Sequence, residues 1–110
     1  MDARERRLAE NEVLFREIND RIKAAADAHG SDSHVYEFLC ECSNRDCTLL
    51  IPMTVGEYQR LRAESTHFAT APGHHLPEIE IVVERNDAYW VVEKQGKAGE
   101  LAEEQDPRGA

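Results

Sequence analysis

The sequence is short of the features that mark a membrane protein, a nucleic-acid binder or a familiar enzyme. Its longest uninterrupted apolar run, Ala88–Val92, is five residues, against the roughly 20 that a membrane-spanning helix needs. Basic residues are outnumbered, with 13 Lys and Arg against 22 Asp and Glu and a formal net charge of −9. Phosphate backbones are bound by excess positive charge, so no nucleic-acid partner is expected. The acidic excess is spread along the chain; solubility explains it, and a basic protein partner is the sharper reading. No G-x-S-x-G, P-loop, G-x-G-x-x-G or H-E-x-x-H is present, nor the His-x-Glu and Pro-Cys-x-x-Cys of zinc deaminases. No carboxylate–histidine set near the cysteines supplies a general base, and an enzyme is not expected. Met1 to Arg7 is charged and no apolar stretch follows, so no secretory signal is expected and a cytoplasmic location is.

Cysteine is scarce too, but its placement carries information. Cys40, Cys42 and Cys47 form C-x-C-x4-C, and Pro72-Gly73-His74-His75 follows. Three cysteines cannot all pair within one chain, and reduced, clustered thiols favour a metal over a disulfide. Thiolate and imidazole ligands in a set of four are what Zn2+ selects. Strand alternation puts Cys40 and Cys42 on one face, a turn through Ser43–Asp46 returns Cys47, and the Pro-Gly-His loop offers His74 as fourth ligand. His75 is the alternative. Glu78 or a backbone carbonyl is expected to orient the imidazole, and Arg45 to offset a site whose net charge would be negative. Ordinary buried thiols, or a Cys40–Cys47 or Cys42–Cys47 disulfide on oxidation, are the competing readings. His34 and His67 are expected at the surface or at caps, and His29 at a helix C-terminus.

Residues 4–28 read as a helix with Leu8, Phe15, Ile18, Ile22 and Ala26 on one face and Leu14 and Ala25 widening it. Val13 falls on the opposite side. Glu12–Arg16 and Glu17–Arg21 are spaced as i,i+4 ion pairs, and Gly30 is a natural stop. The stripe also reads as a short heptad with Asn11 at a core position, which would make a homodimer; docking onto the chain's own sheet is the simpler outcome. Ser31–Ser33 form a polar linker. Residues 34–40 and 47–52 read as one hairpin, and 79–84 with 89–93 as a second, joined by Asn86-Asp87. Thr54-Val55-Gly56-Glu57 matches a capping box that opens a short helix over 55–63. Tyr89 and Trp90 must face opposite sides of their strand. Glu78, Glu80 and Glu84 read as a solvated face.

The reading is an α+β fold: an amphipathic helix over 1–30, a zinc-stapled domain over 31–94 built from a small antiparallel sheet and one short helix, and a flexible or loosely helical acidic tail over 95–110. A protein partner is expected, through the helix or a sheet edge. The function so implied is a small cytoplasmic zinc-stabilised interaction module with a regulatory role, and a thiol redox or metal sensor is the alternative.

Two resemblances add to this. The C-x-C-x4-C of residues 40–47 resembles the post-SET zinc motif of histone methyltransferases, which takes its fourth ligand from elsewhere; the likeness implies ligand spacing and nothing of the activity. The wider chain, residues 10–108, resembles a family of small bacterial proteins without assigned activity. That likeness rests on Asn11-Glu12, Phe15-Arg16-Glu17, Asn19, Phe38 to Cys42, Cys47, Glu57-Tyr58, Pro72-Gly73-His74, Val82 to Arg85 and Val91 to Lys94. The chain departs from the zinc-binding anti-sigma factors, whose His-x3-Cys-x2-Cys spacing is missing.

Overall fold

A computed structural model describes residues 2–27, 34–44 and 46–107. The sequence expectations at His29, Gly30, the 31–33 linker and Arg45 lie outside the described residues. Helix α1 spans Ala3–Asp27 and is followed by β1 (Val35–Leu39), β2 (Leu50–Thr54), α2 (Val55–Arg62), β3 (His67–Thr70), β4 (Glu80–Arg85), β5 (Trp90–Lys94) and α3 (Gly96–Glu104). The fold is α+β, with antiparallel β1–β2 as one sheet and antiparallel β3–β5–β4 as the other.

The second sheet has two covered faces, and side-chain alternation sorts its residues between them. On one side Phe68 and Val92 meet Val13 of α1 and Ala102 of α3. On the other, Ala69 and Val91 join Phe38, Ile51, Met53, Tyr58 and Leu61 from β1, β2 and α2. Phe38 and Tyr58 stack with ring centroids 4.7 Å apart and planes 14° from parallel. Helix α2 starts as its sequence implies: Thr54 Oγ1 accepts from Glu57 N at 3.1 Å, and Glu57 Oε1 from Thr54 N at 2.9 Å. Tyr89 takes the core side of β5 while Trp90 is half-exposed, with Arg85 5.0 Å over its ring and His75 5.5 Å away.

The apolar stripe of α1 misstates its buried face. Ala9, Glu12, Val13, Arg16, Asn19 and Ala26 are buried, while Leu14 is exposed and Leu8, Phe15, Ile18 and Ile22 are half-buried. Val13, placed by the stripe on the far side, is in the core. The reason is that the polar residues here have buried partners, which makes their burial tolerable. Lys94 Nζ, fully enclosed, bonds Glu12 Oε1 and reaches Glu80 Oε2 at 3.2 Å. Arg16 donates to Ser65 O at 2.6 Å and Ala102 O at 2.9 Å, and its guanidinium lies 4.7 Å over the Phe68 ring. Glu12 and Arg16 therefore do not form their i,i+4 pair as their bonds to other elements take precedence; Arg6 and Glu10 do, at 2.8 Å. Glu80 is likewise no part of a solvated face, because its register opposite Lys94 turns it inward.

Residues 95–110, expected as a flexible or loosely helical tail, contain the docked helix α3, with Ala98, Gly99, Leu101 and Ala102 buried. A Cβ on Gly99 would lie 2.8 Å from Lys94 O, so glycine permits the helix to lie this close to β5. Beyond α3, Asp106 makes two hydrogen bonds to the buried Arg62 guanidinium at 2.8 and 2.9 Å, and Asp20 of α1 makes two more at 2.8 and 3.0 Å. This ionic clasp ties α1, α2 and the chain beyond α3 together. Strand β3 leaves little mark in the sequence, because four residues around Phe68 give too short an alternation to read.

Candidate metal centre

Strand β1 ends at Leu39, so Cys40 and Cys42 sit in the irregular segment that leaves it, and β2 does not begin until Leu50. Cys40 N still bonds Leu49 O at 3.1 Å, which holds the two arms of this long loop together. Within it, Cys47 N bonds Asn44 O and Asp46 N bonds Asn44 Oδ1, each at 3.0 Å, an Asx-type turn that brings Cys47 back. The fourth residue arrives on a turn of its own. His74 N bonds Ala71 O at 3.0 Å with Pro72 and Gly73 between, and Gly73 has φ +82°. Proline followed by a residue at positive φ is a type II turn, which glycine makes without strain.

These turns bring Cys40, Cys42, Cys47 and His74 together, with one ligand atom from each all within 4.8 Å of one another. His74 presents Nδ1, 3.7 Å from both Cys40 Sγ and Cys47 Sγ. Bond lengths of about 2.3 Å to sulfur and 2.0–2.1 Å to nitrogen, arranged tetrahedrally, place such atoms about 3.6 Å apart. The donor set and its spacing fit a single metal ion. His75 is not in the cluster; its ring lies against Trp90. His34 lies 4.6 Å from the Tyr36 ring, and His67 Nε2 is 3.8 Å from Glu93 Oε2.

The surroundings suit thiolates. Ala71 N donates to Cys40 Sγ at 3.1 Å, so the residue that opens the histidine turn also stabilises a cysteine ligand. The backbones of Asn44 and Leu49, each two residues beyond its cysteine, favour ionised Cys42 and Cys47. Crowding makes the three thiols unequal. A hydrogen bond from Cys40, helped by His74, holds Cys42 down to about 5. The same bond, with burial, pushes Cys40 far up, and burial raises Cys47. Ionising one sulfur of so close a set makes its neighbours harder to ionise. Cys40 and Cys42 are buried whereas Cys47 and His74 are half-exposed, so the cluster opens on the Cys47–His74 side.

Sequence reasoning missed two residues that assemble this centre. Glu41, between the first two cysteines, is fully buried. Its Oε1 accepts from Ala69 N at 2.8 Å, and its Oε2 from Tyr58 Oη at 2.5 Å and Asn19 Nδ2 at 2.9 Å. Burial raises its carboxyl above the usual range, and these three donors oppose that. Asn19 also pairs with the Leu39 peptide, donating to Leu39 O at 2.9 Å and accepting from Leu39 N at 2.8 Å. A sequence signal for Glu41 does exist: on an extended segment, the residue between two same-facing cysteines must point elsewhere. Glu78, a candidate partner for the histidine ring, instead bonds Arg4 of α1 at 3.2 Å.

Comparison with known protein families, curated proteins and solved structures finds no match to this chain. The assignment of the centre rests on its own chemistry. No helix among the described residues is long and apolar enough to cross a membrane.

Proposed function

We propose that the protein is a small zinc-stabilised module that binds another protein and works in the cytoplasm, in a regulatory role. The observation that carries the zinc reading is the convergence of three thiolates and one imidazole within 4.8 Å. Four protein ligands complete a tetrahedron and leave no position for water or substrate, which is the pattern of a structural rather than a catalytic ion. A structural ion suits a chain whose two sheets have two and three strands, because small cores often need an added staple. Support for an interaction role comes from apolar side chains in the open: Val35, Leu49 and Leu50 around β1–β2, and Ile81 and Val83 on β4 at the edge of its sheet. Self-association through α1 belongs to this reading, as does membership of the small bacterial family that the chain resembles.

The test is elemental analysis of the purified chain, followed by affinity capture with the zinc-loaded and the chelated protein. The reading expects a single zinc per chain and a partner retained only by the loaded form. A metal-free chain, or a partner indifferent to chelation, counts against it.

A second reading, a thiol redox or metal sensor, is favoured by one observation: Cys47 lies on the open side of the cluster. Attack of its thiolate on a peroxide would form an S–O bond and break the O–O bond. A second cysteine would then displace the oxygen as water and close an S–S bond, releasing zinc. Zinc that stays bound through millimolar peroxide sinks this reading.

A further inference from the structure

We infer that Glu41 and Asn19 are positioning residues of the metal centre, and that through them metal loading and the docking of α1 are thermodynamically linked. The inference rests on the reading of the cysteine–histidine cluster as a metal site.

Glu41 joins the two segments that carry the ligands. Its carboxylate takes the Ala69 N–H while its own N–H donates to Ala69 O at 2.7 Å, so one residue holds both polar groups of a single strand position. Two residues beyond Ala69, the Ala71 amide bonds Cys40 Sγ, and Ala71 O anchors the turn that delivers His74. The separation of the Cys40–Cys42 segment from the histidine turn is therefore set by this clamp. Asn19 does the same for Leu39, next to Cys40, and bonds Glu41 Oε2, the oxygen that also accepts from Tyr58 Oη. Both side chains are fully buried and both are spent on these contacts.

Asn19 belongs to α1, so the metal centre has a partner in the helix. Among the described residues, hydrogen bonds run from α1 to the cysteine-bearing chain at Asn19, which makes three, and from Asn11 Nδ2 to Ser43 O at 3.0 Å. The fully buried stripe of α1 carries few large apolar side chains, with Ile22 packed against the core beside the cysteines and Leu8, Phe15 and Ile18 half-buried. Its hydrophobic members are Ala9, Val13 and Ala26, and its larger members Glu12, Arg16 and Asn19 are polar. Hydrophobic docking scales with apolar area removed from water, so a helix of this kind depends on its hydrogen bonds keeping their partners in place. On the cysteine-bearing segment those partners are Leu39, Glu41 and Ser43, which are ordered when the ligands are drawn to one ion, while Glu12, Arg16 and Asp20 hold α1 to Lys94, Ser65, Ala102 and Arg62. By reciprocity, what metal does for α1, α1 does for metal.

The experiment is hydrogen exchange of the full chain, zinc-loaded and after chelation, with zinc affinity measured by competition against a chromophoric chelator. Chelation should raise exchange in α1 and in residues 35–49 while β5 and α3 remain protected. Asn19→Ala and Glu41→Gln should each weaken zinc binding about 10- to 100-fold, the range for groups that orient metal ligands, and alter the visible spectrum of the cobalt-substituted protein. Exchange in α1 unchanged by chelation overturns the linkage, and this needs no variant. Zinc affinity within about twofold of wild type in a folded Asn19→Ala removes its positioning role. Wild-type protein that takes up no zinc overturns both this inference and the metal reading beneath it.

Discussion

The two sides of this molecule are held by different chemistry. Around β1, β2 and the histidine turn, cohesion centres on three thiols and an imidazole, with Glu41 and Asn19 behind them. Around β3–β5–β4 and α3 it centres on buried ions: Lys94 with Glu12 and Glu80, and Arg62 with Asp20 and Asp106. Each spends polar groups where a larger protein would use apolar volume, and α1 belongs to both. The difference teaches that stability here has two separable controls. On the proposed reading one side takes a cation from solution, and the other carries its cations in its own sequence.

The sharpest way to break the comparison is to remove a ligand. Cys42→Ser should abolish metal binding and lose much of a stabilisation on the order of 10 kcal/mol apparent for structural zinc, with exchange in residues 35–49 rising most. Equal loss of protection across β5 and α3 would show that the sides are not separable. Next in size is Lys94→Ala, which leaves two carboxylates facing each other with no cation. Removing one partner of a buried ion pair costs about 3–5 kcal/mol, and calorimetry should find the loss with zinc stoichiometry unchanged.

pH should move the two sides in opposite directions. Burial, beyond what Lys94 can offset, raises Glu12 well above its ordinary value of 4.5. A carboxyl raised on folding adds stability that is whole below the ordinary value and lost as pH climbs through the raised one. The contribution of the buried Glu12 to stability should therefore fall from pH 4.5 upward through its raised value, although Lys94 favours the ionised form. The metal side should do the reverse, since thiols must ionise to bind and acid releases the ion. Exchange followed region by region across pH would reveal both slopes; parallel slopes would contradict the distinction.

Smaller effects test single turns. Gly73→Ala has open space for its Cβ but must adopt φ +82°, a strain of about 1–2 kcal/mol. Because that turn carries His74, the loss should appear as weaker zinc binding more than as a lower melting point of the chelated protein. Thr54→Ala removes the α2 cap and should cost about 1 kcal/mol, with zinc affinity unmoved.

Much of this was legible in the sequence where one residue type has one common use. Thr54 and Glu57 at capping-box spacing point to a single local geometry, and C-x-C-x4-C with Pro72-Gly73 ahead of a histidine points to a cluster that His74 rather than the alternative His75 joins. What stayed hidden depends on long-range pairing. Glu12, Arg16, Asn19 and Glu80 look solvent-facing until Lys94, Ala102, Leu39 and Glu41 are placed opposite them. Helix α3 was obscured by its small residues, because Ala98, Gly99 and Ala102 contribute close approach rather than hydrophobic bulk.

Native mass spectrometry of the purified chain before and after chelation tests the central claim most directly. The account predicts a single zinc ion per chain, lost on chelation and absent from Cys42→Ser. A wild-type chain that carries no metal, and that melts at the same temperature with and without chelator, would contradict it.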